Sequence, residues 1–433
     1  MLIASYCGSI ASAAEVETSP PAPEQANCFV ESSSDTVEVS SMSALASALT
    51  AGSPGRNILI APGTYAGGGA LDFAGNGAEG NPIVIRPRDG LGTVTINSPR
   101  FQFGDTSSWI VMEKLYFAAS RIVLRGDHNR IARCRFRNIN VNSPIVTEQA
   151  RDCRIDHCDF SDWQYDGAQG GCIAVRPEHF PNGAAARLLI DHCYFHDMTP
   201  DAGQNGNEII QLFANTNHSG LEAPTLTVDR CLFSNINIPG EGEIVSIKLG
   251  GVAVRGCTFG NCPSMYLPMR TSANCEIRSC WFEGPLRSDP LMVRGPNNLV
   301  IGNRFIGGLN LGVWAGNASW ADILSGAAGI GSYAPATESR IIGNRLGSGH
   351  ILVGTYWGSD TNPGVSLPAD SNLLEENTRD SGGSAGSLIS SIHGFSPAQT
   401  NTTVNSTTSA PYTPAVKLTS NNVGLEAPDP LCV

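Results

Sequence analysis

Cys231-Leu232-Phe233, Cys257-Thr258-Phe259 and Cys280-Trp281-Phe282 write one three-residue signature three times, 26 and then 23 residues apart. Upstream the same signature stands at Cys134-Arg135-Phe136, Cys158-Asp159-Phe160 and Cys193-Tyr194-Phe195. Downstream the cysteine gives way to asparagine, at Asn303-Arg304-Phe305 and Asn344-Arg345-Leu346. Each copy follows a short β-rich run, such as Leu188-Leu189-Ile190 or Leu299-Val300-Ile301. These runs are too short to carry a helical period, so the unit is strands and turns. A period in the low twenties built that way is a solenoid: one coil cannot bury its apolar side alone, and stacking sets like residue over like. Longer intervals read as coils carrying inserted loops.

The fold class that follows is all-β, a single right-handed parallel β-helix with a short N-terminal cap helix. Ser41 to Ala51 supplies the cap, with apolar residues at helical spacing behind a serine start. Ile58-Leu59-Ile60 is then a buried strand, Pro62-Gly63-Thr64-Tyr65 a turn, and Pro82 to Ile96 two strands around Asp89-Gly90. The repeat also decides the cysteines. Thirteen in a chain with an export signal would suggest disulfides, but most fall on the ladder and read as free, buried, small apolar residues. Cys28 and Cys432 lie outside it and are candidates to pair. The same register argues against zinc at Cys257/Cys262 and Cys275/Cys280, and assigns Asp156-His157-Cys158 and Asp191-His192-Cys193 to turns rather than catalysis.

Hydrophobic residues make up 41% of the 433-residue chain and charged ones 15%, which places it among globular rather than disordered proteins. The net charge is −12, so the protein as a whole does not attract polyanions. Arginines cluster between Arg121 and Arg154 without any nucleic-acid module around them; they are expected to line a groove for an acidic polymer. No run is long enough to span a membrane. Residues 1–14 read as a signal peptide ending in Ala11-Ser12-Ala13, incomplete at its start because no basic segment precedes it. Residues 15–36 read as a polar, proline-rich linker, and 37–433 as the β-helix. The expectation is a secreted or periplasmic protein that acts as a monomer, with no nucleic-acid or membrane partner.

Three segments are close in coil space: Gln204 to Ile210, Glu241 to Lys248, and Met269-Arg270. Lys248 and Arg270 are 22 residues apart, one coil, and stacked coils lie about 4.8 Å apart. Lys248 is one of only three lysines, which singles it out. Glu241 and Glu243, at i and i+2, point the same way in a strand, and with a nearby amide oxygen they suit Ca2+. Lys248 and Arg270 are expected to be exposed, so that replacing either would change stability little.

On these residues the chain resembles polysaccharide lyase family six, the alginate lyase and chondroitinase B family. The resemblance runs from Val39 to Tyr65, through NPIVIRPRDGLGTVTI, Glu241-Gly242-Glu243-Ile244, Lys248 and Arg270, to LMVRGPNNLVIGNRFIGG and LTSNNVG. It implies a Ca2+-assisted β-elimination on an acidic polysaccharide, with Lys248 as general base and Arg270 as general acid. It also implies that Ca2+ is held by Glu241, Glu243 and an asparagine one coil earlier. That asparagine is Asn205 or Asn207, with the Asn-Gly-x-Glu pattern favouring Asn205. Arginine is hard to deprotonate, so a water or a tyrosine can relay its proton. The sequence departs from the family where His-Gly usually follows the arginine; here Thr271 and Ser272 do. Gln211 stands where an arginine is often found. Alginate is the expected substrate; the alternatives are chondroitin or dermatan sulfate, a non-catalytic glycan-binding β-helix, or a uronate C5-epimerase.

Overall fold

The computed structural model describes residues 35–425 apart from 68, 98–99, 139, 165–169, 177–186, 200–206, 213–225, 239–241, 249, 264, 271, 326, 329–331, 356–366, 381–387, 392–402 and 406–414. Among the described residues the strands wind into a right-handed parallel β-helix with three faces. One face is a fourteen-stranded parallel sheet from Thr36–Val39 to Thr403–Asn405, and the second a twelve-stranded one from Gly63–Ala66 to Thr378–Arg379. The third face is split into a seven-stranded and a five-stranded sheet.

The corner between the first two faces carries the signature. The residue before each ladder cysteine adopts a left-handed backbone, as at His157 (φ 52°), His192 (φ 52°) and Arg230 (φ 47°), and glycine takes that place at Gly256 (φ 58°). This turns the chain sharply, drops the cysteine into the coil, and starts the next strand. The ladder thiols donate to carbonyls of the preceding coil, Cys231 Sγ to Ile190 O at 3.6 Å and Cys280 Sγ to Val254 O at 3.6 Å. Where asparagine takes over, the contacts tighten into amide hydrogen bonds: Asn303 Nδ2 donates to Asn344 Oδ1 at 2.9 Å, and Asn344 Nδ2 to Asn377 Oδ1 at 2.9 Å. All ten described cysteines are free and buried. Burial pushes the Cys153, Cys262 and Cys275 thiols up to about 12, so they are inert at neutral pH. Cys28 and Cys432 lie outside the described residues.

Two positions on, the phenylalanines from Phe117 to Phe305 form a continuous ring stack, with centroid spacings between 4.6 and 5.1 Å. That spacing is the strand separation itself, so the parallel register forces the stack. The cap helix Met42–Thr50 starts at Ser41, whose hydroxyl accepts from Ala44 N at 3.2 Å, and it buries Leu45, Ala48 and Leu49.

Two local expectations change. Gly63–Ala66 is a strand, not a turn, because Tyr65 points into the coil and its hydroxyl donates to Ala61 O at 2.8 Å. The arginine cluster divides. Arg130 and Arg154 are buried at the first corner, where they make bidentate pairs with Asp156 (2.7 Å twice) and Asp191 (2.8 Å twice). His157 and His192 stack there at 4.9 Å, each with Nδ1 against the preceding aspartate. His157, Asp191 and His192 approach closely enough to share an ion, but the Asp191 carboxylate is already engaged on both oxygens by Arg154. The Asp-His-Cys triplets are corner structure.

Candidate functional site

The third face breaks between Glu243–Ser246 and Leu267–Pro268. Two isolated parallel bridges span the break, Glu243 to Tyr266 and Ile247 to Met269. Four residue steps separate Glu243 from Ile247, whereas three separate Tyr266 from Met269. The extra residue is a bulge, a device that re-aims the side chains after it. Lys248 and Arg270 each follow the second bridge by one residue, so they stand in register on consecutive coils. Arg294 continues the column on the next coil, since Pro268 pairs with Met292.

Behind this column stand two carboxylates that the same register stacks: Glu208 is the direct strand partner of Glu243. Lys248 Nζ donates to Glu208 Oε1 at 2.7 Å. Arg270 is ion-paired through Nη2 with Glu243 Oε1. Tyr266 joins them, its hydroxyl donating to Glu243 Oε1 at 3.1 Å and accepting from Arg270 Nη2 at 3.2 Å. Side-chain exposure is 3% for Glu208, 1% for Glu243, 23% for Lys248 and 13% for Arg270. The expectation of two exposed cations is therefore corrected. Both are largely covered, because each is drawn down onto a buried carboxylate.

The crowding shows in the proton affinities. Burial, then the neighbouring Glu243 charge, push the Glu208 carboxyl up to about 7, against the opposing pull of Lys248. Burial and Glu243 also raise Tyr266, which keeps its proton. For Arg270, burial is the largest single influence and works against the charge, but Glu243, Tyr266 and Tyr333 together outweigh it and hold the guanidinium above its ordinary value.

Of the residues expected to bind metal, Asn205 and Glu241 lie outside the described residues. Asn207 is buried, and its Oδ1 accepts from Gly170 N at 3.1 Å. Glu243 is in place. Glu208 Oε2 and Glu243 Oε2 are buried without a hydrogen-bond partner, on consecutive coils. Two such oxygens, both hard donors, fit a divalent cation of the Ca2+ type. Of the two departures from the family pattern, Thr271 lies outside the described residues, and Gln211 is buried in register with Ser246.

Sequence reading did not single out Glu208, Tyr266 or Arg294. Arg294 is buried, with its guanidinium 4.6 Å from the Trp314 ring and 4.2 Å from that of Tyr333. Its spacing of 24 residues from Arg270, again one coil, was the available signal. For Glu208 the signal was weaker, since 35 residues and an inserted loop separate it from Glu243.

No curated protein matches the chain. Solved structures do match it. The PL6 family alginate lyase AlyGC superposes with a TM-score of 0.66 at 19% identity, over 82% of this chain and 49% of that one, so the chain spans about half the length of AlyGC. A mannuronic acid specific polysaccharide family 6 lyase from human gut microbiota gives 0.65 at 20% identity, over 83% and 82%. The PL6 family polysaccharide lyase Pedsa3628 from Pseudopedobacter saltans gives 0.65 at 17%, over 91% and 100%. At these identities the likeness establishes the β-helix. The family model for chondroitinase B matches residues 39–288, which takes in more than half of the chain and the whole break in the third face. The chain belongs to the chondroitinase B family, polysaccharide lyase family six.

Proposed function

We propose that this lyase cleaves a uronic-acid polysaccharide, alginate foremost, by β-elimination at the break in the third face. The observation that carries the reading is the column Lys248–Arg270, on consecutive coils against the stacked pair Glu208–Glu243. The reaction takes the C5 proton from a uronate, breaks the C4–O glycosidic bond and leaves a C4=C5 double bond. In this reading Lys248 takes the C5 proton as the free amine, having passed a proton of its own to the Glu208 carboxylate 2.7 Å away. Arg270 stays charged, so its part is to stabilise negative charge on the leaving oxygen. The proton that the leaving oxygen takes up comes, in this reading, from water or from the Tyr266 hydroxyl that Arg270 Nη2 contacts at 3.2 Å, the tyrosine being reprotonated by water afterwards.

Ca2+ belongs to the same proposal: it would be held by Glu243 together with Glu241 and Asn205 or Asn207, and Glu208, the strand partner of Glu243, would offer a buried oxygen that has no hydrogen-bond partner. Bound there, it would neutralise the substrate carboxylate and so make the neighbouring C5–H more acidic. The alginate preference is supported by related solved structures whose descriptions name alginate or mannuronic acid. A polymer of this kind lies outside the cell, which is the support for secretion or a periplasmic location. Among the described residues no helix is long and apolar enough to cross a membrane.

The test is the ultraviolet absorbance of the unsaturated product, read over alginate, polymannuronate, polyguluronate, chondroitin sulfate and dermatan sulfate. Product from alginate and its blocks alone is expected. Product from the sulfated polymers instead would replace the substrate assignment. Uronate epimerised without any unsaturated product, or binding without either, would overturn the lyase reading.

A further inference from the structure

Residues 417–425 run back along the outside of the solenoid, against the direction in which its coils accumulate. Lys417 is ion-paired with Glu283. Leu418 N donates to Thr258 Oγ1 at 2.8 Å. A tight turn follows at Ser420–Asn422, fixed by Thr419 N donating to Asn422 Oδ1 at 2.9 Å. Gly424 N then donates to His192 O at 2.7 Å, and Leu425 O accepts from Arg133 Nη1. The partners thus descend from the coil of Cys280 to the coil of Cys134, about 24 Å at the usual strand separation. The contact is apolar as well as polar. Val423 and Leu425 are 2% and 7% exposed, yet neither belongs to the core inside the coils. Beneath them the second face presents Tyr194, Leu232 and Thr258, which are consecutive strand partners. Their neighbours Phe195, Phe233 and Phe259 point inward, so alternation turns this row outward. Leu232 is buried there, outside the core. At Gly424 (φ 80°) a Cβ would stand 3.5 Å from Tyr194 Cβ, so the segment lies directly on the row.

We infer that residues 417–425 are a clasp: they tie the coils from Cys134 to Cys280 into one unit that opens together, and so hold the column on the third face at fixed spacing. In a solenoid each coil touches only its neighbours, and an opening at one place need not spread. A segment bound to both ends of a stretch changes that. No coil under it can part from its neighbour without releasing a clasp contact. The coils concerned are those of the site. The coil gripped at His192 goes on to Glu208, and the one gripped at Thr258 goes on to Arg270. Between them lies the coil of Leu232, which goes on to Glu243 and Lys248. The grip is on the second face, so the third face is left clear. The inference stands apart from the lyase reading, because it concerns how these coils are held whatever reaction they serve.

The experiment is amide hydrogen exchange, read by mass spectrometry on the full chain, for wild type, Val423→Ala and Thr258→Val. Val423→Ala removes two buried methyl groups from the clasp. Thr258→Val keeps the shape of the second face and removes the acceptor of Leu418 N; it is the milder change and carries the test if Val423→Ala does not fold. Each is worth about tenfold in an opening equilibrium, from the lost apolar area in the first case and the lost hydrogen bond in the second. In each variant the first-face strands from Arg130–Ala132 to Glu276–Arg278 should therefore exchange about tenfold faster, all by one common factor. Ile83–Pro87 upstream and Arg340–Ile342 downstream should keep their wild-type rates. Faster exchange confined to the coil of Tyr194 or to that of Thr258 would show that these contacts act only locally, and would overturn the clasp. Equal acceleration of every coil from Ile83–Pro87 to Arg340–Ile342, or no acceleration in the folded variants, would overturn it as well.

Discussion

Lys248→Ala separates the proposed chemical role of the lysine from its structural one, because the nitrogen proposed as the base is also the hydrogen-bond partner of the buried Glu208 carboxyl. Loss of a positioned base typically lowers turnover by about 10²–10⁴-fold. At 1.36 kcal/mol per decade that is roughly 3–5.5 kcal/mol of transition-state stabilisation. The structural part is worked from Glu208, which is 3% exposed and 2.7 Å from the lysine. Stranding a buried charge would cost about 3–5 kcal/mol if the charge had to stay. It does not have to stay. Burial and Glu243 already push the Glu208 carboxyl up to about 7, so its two forms are nearly balanced at neutral pH and the variant simply takes up a proton. The expected stability loss at pH 7 is about 1–2 kcal/mol, one lost hydrogen bond plus some packing.

The sign of the pH dependence follows. A carboxyl whose folded pKa lies above its unfolded value binds more protons folded than unfolded, so stability falls as pH rises through that interval. Without Lys248 the folded value climbs further, and the gap between wild type and Lys248→Ala should widen from pH 7 to pH 9. Urea unfolding at both pH values, with turnover read from the unsaturated product, measures both parts. The double variant Glu208→Gln/Lys248→Ala should recover the stability and remain inactive. If it recovers turnover, the lysine serves only to neutralise Glu208, and the base assignment fails. Wild-type turnover in folded Lys248→Ala would remove it directly.

Three further outcomes are expected. Arg270→Ala should abolish turnover and also destabilise by about 3–5 kcal/mol, because Glu243, 1% exposed, loses its cation; adding Glu243→Gln should return much of the stability in urea unfolding and none of the activity. Excess chelator should remove most activity and added Ca2+ should restore it; full activity in chelator, with no metal found in the purified protein by elemental analysis, would discard the metal. Phe233→Ala, which breaks ring contacts of 4.9 and 5.0 Å on either side, should lower stability by about 3–5 kcal/mol in thermal or urea unfolding with turnover per folded molecule retained.

The corner of each coil was legible because its chemistry recurs without interruption. A left-handed residue, a small buried one and a large apolar one two places on, phenylalanine in each copy up to Phe305 and leucine at Leu346, are demanded by the same turn every time, so Cys134 to Asn344 could be read straight from the sequence. The third face was not legible in this way. Its strands follow the second face after loops of unequal length, as between Phe160 and Gly171 or Phe195 and Glu208, and no fixed interval marks them. Inside and outside were also lost in the arginine cluster. Arg130 and Arg154 look like Arg121 and Arg125 in sequence, but their partners, Asp156 and Asp191, come from later coils and draw them under the surface.

Lys248 and Arg270 were found because that one interval is a single unbroken coil, whereas Glu208 hides behind an insertion. The two kinds of position differ for a physical reason. A ladder selects residues that fit their own copy above and below, which yields stacked rings and amides. An array of acid, base and cation site needs unlike charges side by side, and a strict repeat cannot supply it. In this chain the unlike residues enter where the register slips by one, between Glu243 and Ile247, and where loops lengthen the coil. A solenoid sequence read only for its period would locate the scaffold and pass over the site; the departures from the period are where the chemistry has room to stand.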